Sequence, residues 1–128
     1  MHITGLLLGG ALGTLCRYLV TLATQPLTSS ATFPIATITV NILGCFLIGL
    51  LSNLRMTGHI SPAWYLALGT GFAGAFTTFS TFELEADTLA QEGAWTLATT
   101  YVLASLILGY AALLLGRLTA IRLSSTSA

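Results

Sequence analysis

Gly71–Asp87 reads GFAGAFTTFSTFELEAD. The stretch begins inside a hydrophobic run. It passes through Thr77, Thr78, Ser80 and Thr81, set around Phe79 and Phe82, and ends in Glu83, Glu85 and Asp87. Gly69, Gly71 and Gly74 precede the hydroxyl residues. Glycine costs about 1 kcal/mol against alanine in a helix interior, and Thr and Ser side chains offer the backbone hydrogen bonds outside the helix. Two readings follow. Either the helix breaks between Gly74 and Ser80, or it continues with its hydroxyls bonded to the preceding turn. A break leaves carbonyls at one half-helix end, which suit a cation, and N–H groups at the other, which suit an anion.

The surrounding composition says what solvent this stretch meets. The chain has 128 residues, 55% of them hydrophobic and only 6% charged, with a mean hydropathy of +0.89. Soluble domains carry about 25% charged residues, and so short a chain cannot hide this much apolar surface from water. The expected solvent is lipid. Four arginines balance four acids and there is no lysine, so no basic patch suits nucleic acid. Cys16 and Cys45 lie in apolar runs and read as small buried residues. His2 and His59 are expected to face solvent, without metal-ligand spacing. No Lys or Arg precedes the first apolar run and Arg17 interrupts it, which suits a membrane helix better than a cleaved signal.

A helix needs about 20 apolar residues to cross the hydrocarbon. The chain supplies four such runs, at about 3–24, 35–54, 64–88 and 95–118. The fold expected is all-α and integral to the membrane: one four-helix unit spanning 1–128, with short loops and antiparallel neighbours. Gln25–Pro34 reads as a polar turn, Arg55–Pro62 as a loop, Gln91–Gly93 as a turn, and Arg122–Ala128 as a frayed tail. Trp64, Tyr65 and Trp95 stand where an interfacial aromatic belt would be. Four helices leave little room for a water path, so oligomerisation is expected. Gly5, Gly9 and Gly13 share one face of the first span, and Asn41, Cys45 and Gly49 one face of the second. Such faces serve close packing, within the chain or between subunits.

Polar groups at membrane depth need partners. Asn41 sits about seven residues into the second span, where an unpaired amide costs several kcal/mol. It is read either as a helix–helix hydrogen bond or as an N–H donor to an anion. Tyr101 and Ser105 share a face of the fourth span, for interhelical bonding or a polar track. Arg17 either snorkels to the interface or attracts an anion. Phe79 and Phe82 read as core or as ring edges, which are electropositive and, flanked by hydroxyls, hold a small anion weakly enough to release it.

The runs GFAGAFTTFSTF (Gly71–Phe82), TVNILGCFLIG (Thr39–Gly49) and GGALGTLCRY (Gly9–Tyr18) resemble the Fluc/CrcB family of bacterial fluoride channels, in the same order and over nearly the whole chain. TTFSTF is the specific part. The resemblance implies a passive fluoride channel of the bacterial plasma membrane. It implies an antiparallel, dual-topology homodimer with two fluoride pathways along the interface and a third helix broken near its middle. On the matching positions it implies a pathway of Asn41, Phe79, Phe82, Ser80, Thr81, Tyr101 and Ser105. It also implies a central sodium ion held by the backbone carbonyls of Gly74 and Thr77 from both subunits. The chain departs from the family pattern at Glu83, where a small hydroxyl is usual, while Glu85 falls on the family glutamate. A carboxylate beside an anion path should slow conduction unless it turns away or pairs, with Arg17 and Arg55 as candidate partners.

With four spans, Arg55, Arg117 and Arg122 share one side against Arg17 at most on the other, a mild bias toward cytoplasmic termini that also leaves room for a paired homologue. No phosphate-binding loop and no nucleophile–base pair is present, which argues against ATP drive and against an enzyme. The rival of another class is a small proton-coupled multidrug exporter, which needs a carboxylate at membrane depth; 3–24 contains none. A purely structural membrane subunit explains the glycine faces but not the Phe/Ser/Thr motif with Asn41.

Overall fold

The computed structural model describes residues 2–28 and 33–126, without the side chains of residues 2, 26–28 and 126. The expected turn residues Ser29 and Ser30, and the outward placement expected of His2, lie outside that description. All described elements are helical. They are α1 (His2–Thr28), α2 (Ile35–Met56), α3 (Pro62–Tyr65), a π-helical segment (Leu66–Ala73), α4 (Gly74–Phe76), α5 (Ser80–Gln91) and α6 (Trp95–Thr126).

Among the described residues, Ile3–Gln25, Ile35–Met56 and Trp95–Ser125 are long and apolar enough to cross a bilayer. The remaining apolar run is composite. From α3 through the π segment to α4 it forms one helical column, the backbone turns extended at Thr77 (φ −82°, ψ 162°), and the helix resumes as α5. Two expected boundaries move outward. α1 continues through Thr28, past Pro26, although Gln25–Pro34 reads as a turn. Proline removes one N–H from the ladder, and in the turn before it the Thr24 hydroxyl donates to the carbonyls of Val20 and Thr21. α6 likewise continues through Thr126 instead of fraying from Arg122. There the Ser124 and Ser125 hydroxyls donate to the carbonyls of Ala120 and Arg122.

Packing follows the small residues. A Cβ on Gly9 would overlap the Ala67 carbonyl oxygen, and one on Gly13 the Phe72 carbonyl oxygen. The α1 glycine face is therefore used inside the chain, laying α1 on the π segment at backbone distance. Gly49 meets the Leu113 carbonyl and Gly116 the Phe46 carbonyl in the same way, which joins α2 to α6. Both pairs run parallel: Gly9 and Gly13 meet Ala67 and Phe72, and Cys45 and Gly49 meet Gly109 and Leu113, so rising numbers on one partner meet rising numbers on the other. The chain thus alternates direction. One end gathers Arg55, His59 and Arg122; the other gathers Glu83, Asp87 and Glu92. The exposed Trp64 and Trp95 lie at opposite ends, as interfacial anchors do.

Candidate functional site

The break is held by side chains from other helices. Asn41 on α2 clamps Thr78 with both amide atoms: Nδ2 donates to Thr78 O at 3.0 Å and Oδ1 accepts from Thr78 N at 2.9 Å. Arg17 on α1 donates from Nη1 to Thr77 O at 3.3 Å. Thr77 itself donates from Oγ1 to Ala73 O at 3.0 Å. Thr78 Oγ1 accepts from Thr81 N at 3.3 Å and donates to Thr81 Oγ1 at 2.9 Å, capping the start of α5. Gly44 lets α2 approach, since a Cβ there would overlap the Thr77 methyl.

These substitutions free the backbone. Thr78 N–H points to Asn41, so Gly74 O loses its donor four residues on. Thr81 N–H points to the Thr78 hydroxyl, so Thr77 O loses its own. Within the described residues neither carbonyl receives a backbone N–H. Two carbonyls without amide donors are a cation's ligands by chemistry, hard oxygen with no net charge. The Gly74/Thr77 pair thus fits a sodium ion. No group of three or more His, Cys, Asp or Glu converges for a metal among the described residues.

A groove of about 380 Å³ opens beside the break, lined by Asn41, Cys45, Gly74, Thr78, Phe79, Phe82 and Ser105, among others. The Ser105 hydroxyl is buried and has no partner among the described residues. Phe79 is 75% exposed and Phe82 7%, with ring centroids 5.9 Å apart. The Asn41 amide keeps one N–H beyond its clamp. The groove therefore offers an anion an amide N–H, a hydroxyl and ring edges, with no fixed charge among these groups. A second pocket of about 350 Å³ lies between α1, α2 and the break, lined by Thr14, Arg17, Tyr18, Thr21, Thr37, Thr78 and Thr81 among others. Among its lining residues Arg17 is the one charged side chain, set among hydroxyls.

Of the pathway residues expected, Asn41, Phe79, Phe82 and Ser105 come together in the groove. Thr81 lines the second pocket, and Ser80 is exposed and lines neither. Tyr101 lies beneath them: it is fully buried, its ring 5.2 Å from Phe82, and its hydroxyl donates to Glu85 Oε2 at 2.7 Å. Thr37 completes this clasp, donating to Glu85 Oε1 at 2.9 Å. Reasoning from sequence missed Thr37 and the role of Glu85. The signal was there for Thr37, which lies four residues before Asn41 and so on the same helix face. Glu83 is exposed and pairs with neither Arg17 nor Arg55; Arg17 is turned to the break instead. Cys16 and Cys45 are free thiols, and His59 is exposed, its Nδ1 3.0 Å from the Thr57 hydroxyl.

Three helices of membrane-crossing length and a fourth apolar run broken at Thr77 define a multi-pass membrane protein. The family model for "CrcB-like protein, Camphor Resistance (CrcB)" matches residues 4–117, and the chain belongs to that family. Relatives named "Fluoride-specific ion channel FluC" are similar over most of their length. The one from Chlorobium chlorochromatii is 48% identical over 93% of this chain and 92% of its own. That from Chlorobium luteolum is 49% identical over 84% and 83%. That from Solibacter usitatus is 47% identical over 90% and 94%.

Proposed function

We propose that this protein is a fluoride-selective channel, not an enzyme, that lets cytoplasmic fluoride leave passively across a bacterial plasma membrane. The observation that carries the reading is the groove: Asn41, the partnerless Ser105 hydroxyl and the Phe79/Phe82 pair converge without a fixed charge, in a chain whose family relatives are named fluoride-specific ion channels. Fluoride is small and strongly hydrated. Hydroxyl and amide N–H donors replace its water shell, and ring edges bind it weakly enough for release. Hydrogen fluoride crosses membranes neutral and ionises inside, so a passive exit is protective.

The working unit is an antiparallel homodimer. Phe79 and the Gly74 face stand exposed in one subunit, which suits a pathway completed by a second copy. The charge pattern supports opposite orientation, because the basic end of one copy then lies beside the acidic end of the other. A paired homologue of opposite preference would satisfy the same geometry. The Gly74 and Thr77 carbonyls of both subunits would hold the central sodium, which supplies a fixed positive charge between the two pathways. The exporter reading lacks its carboxylate in α1 and has no relative among those compared above.

The test is fluoride efflux from proteoliposomes carrying the purified protein, read with a fluoride electrode beside chloride-loaded vesicles. Fast fluoride release without chloride release is expected. Absence of fluoride release from folded, reconstituted protein overturns the homodimer channel.

A further inference from the structure

The groove holds one thiol, and fluoride passage gives it no part. Cys45 on α2 lines the groove beside Asn41, Phe79 and Ser105, and its thiol is free. The sulfur packs over Gly109 of α6, where a Cβ would stand 3.4 Å from Sγ. Four residues before Gly109, on the same face of α6, stands Ser105. Its hydroxyl is buried, has no partner among the described residues and lines the same groove. One turn past Cys45 the two helices meet at backbone distance, with Gly49 against the Leu113 carbonyl. The sulfur therefore stands where the polar part of the α2–α6 seam ends. Cys16, also a free thiol, lines neither this groove nor the second pocket.

We propose that Cys45 is a modification site through which small uncharged thiol-reactive electrophiles close the groove. The proposal rests on the channel reading above. No residue lining the groove is charged, which suits an uncharged reagent. The thiolate is the reacting form. It attacks the methylthio sulfur of methyl methanethiosulfonate. The reagent's S–S bond breaks as the new one forms, the thiol proton goes to water and methanesulfinate leaves. The Cys45 sulfur is oxidised to the disulfide level and the sulfonyl sulfur is reduced to the sulfinate. A dithiol reverses the step by exchange. The cap adds two heavy atoms to a side chain one helical turn, about 5.4 Å, along α2 from Asn41. It sets an apolar group where the ion trades water for the Asn41 and Ser105 donors.

The experiment treats proteoliposomes of wild type, Cys45→Ser and Cys16→Ser with methyl methanethiosulfonate. Fluoride efflux is read before and after on each preparation, and peptide mass locates the methylthio group. Wild type and Cys16→Ser should lose flux at least about tenfold, because the cap covers donors at which the ion sheds water. Dithiothreitol should restore it, and Cys45→Ser should keep its own untreated flux. Equal sensitivity in Cys45→Ser overturns the proposal. So does a wild type with Cys45 capped and flux unchanged, or with Cys45 uncapped by reagent that caps it in the unfolded chain. Those last two results need no variant to fold. A preparation that conducts no fluoride before treatment overturns the channel reading and the block with it, while its peptide mass still reports separately whether Cys45 is reached.

Discussion

α6 and the run from α3 to α5 are both apolar and both rich in threonine and serine, yet one is continuous and the other is broken. In α6 exposed hydroxyls bond their own helix: Thr100 donates to Thr96 O and Thr119 to Leu115 O, both at 2.8 Å. At the break the freed backbone is served by side chains, by Asn41 on α2, Arg17 on α1 and the hydroxyl of Thr78. The difference teaches that hydroxyl content alone does not interrupt a membrane helix. A break persists where neighbouring helices satisfy the backbone groups it releases.

That contrast can be broken most directly at Asn41. Asn41→Leu leaves Thr78 N–H and C=O without partners, at about 1–3 kcal/mol for each unsatisfied group. Fluoride efflux should fall at least about a hundredfold, and amide exchange at Thr78–Phe82 should rise; efflux near wild type would mean that the clamp is dispensable. Next comes Gly44→Ala, which forces a methyl into Thr77 at a cost of about 1–3 kcal/mol. It should lower both the thermal midpoint and the flux, whereas a variant with unchanged flux would show that α2 has room to shift.

Tyr101→Phe removes one of the two donors holding Glu85, a charge-assisted bond of about 1.5–3 kcal/mol. The variant should unfold at a lower temperature, and Thr37→Val should behave alike; additive losses in the double variant would argue against one shared clasp. Glu83→Ser should raise fluoride flux a few-fold by removing an exposed carboxylate beside the path, an effect weakened by salt; flux that is unchanged or lower counts against that role. The smallest effect belongs to the continuous helix. Thr119→Val in α6 should change stability by no more than about 0.5 kcal/mol. A large loss there would erase the distinction between the two helices.

How far the sequence carried these conclusions varies by element. The four apolar runs were legible because hydrophobic length reports a membrane directly, and the α1 and α2 small-residue faces because helical spacing puts them on one side. The helix ends at Thr28 and Thr126 were not. Local turn signals at Pro26 and in the serine-rich tail were outweighed by hydroxyls bonded back into the preceding turn. At the site, Asn41, Phe79, Phe82 and Ser105 could be singled out as polar or aromatic groups at an unusual depth. Thr37 and Glu85 were not recognised as partners, because nothing in their spacing joins residues 48 positions apart.

The sequence by itself determined that this is an all-helical membrane protein with a candidate ion site near Gly74–Ser80, since composition and hydrophobic length depend on residue identity alone. Taken by themselves, glycine and threonine were compatible with a broken or a continuous helix, and the family resemblance favoured the break. Only the tertiary structure decided what holds it. It brought Asn41 to Thr78 and Arg17 to Thr77, pairings 37 and 60 residues apart in the chain. The released backbone groups find donors and acceptors only when α1 and α2 pack against them.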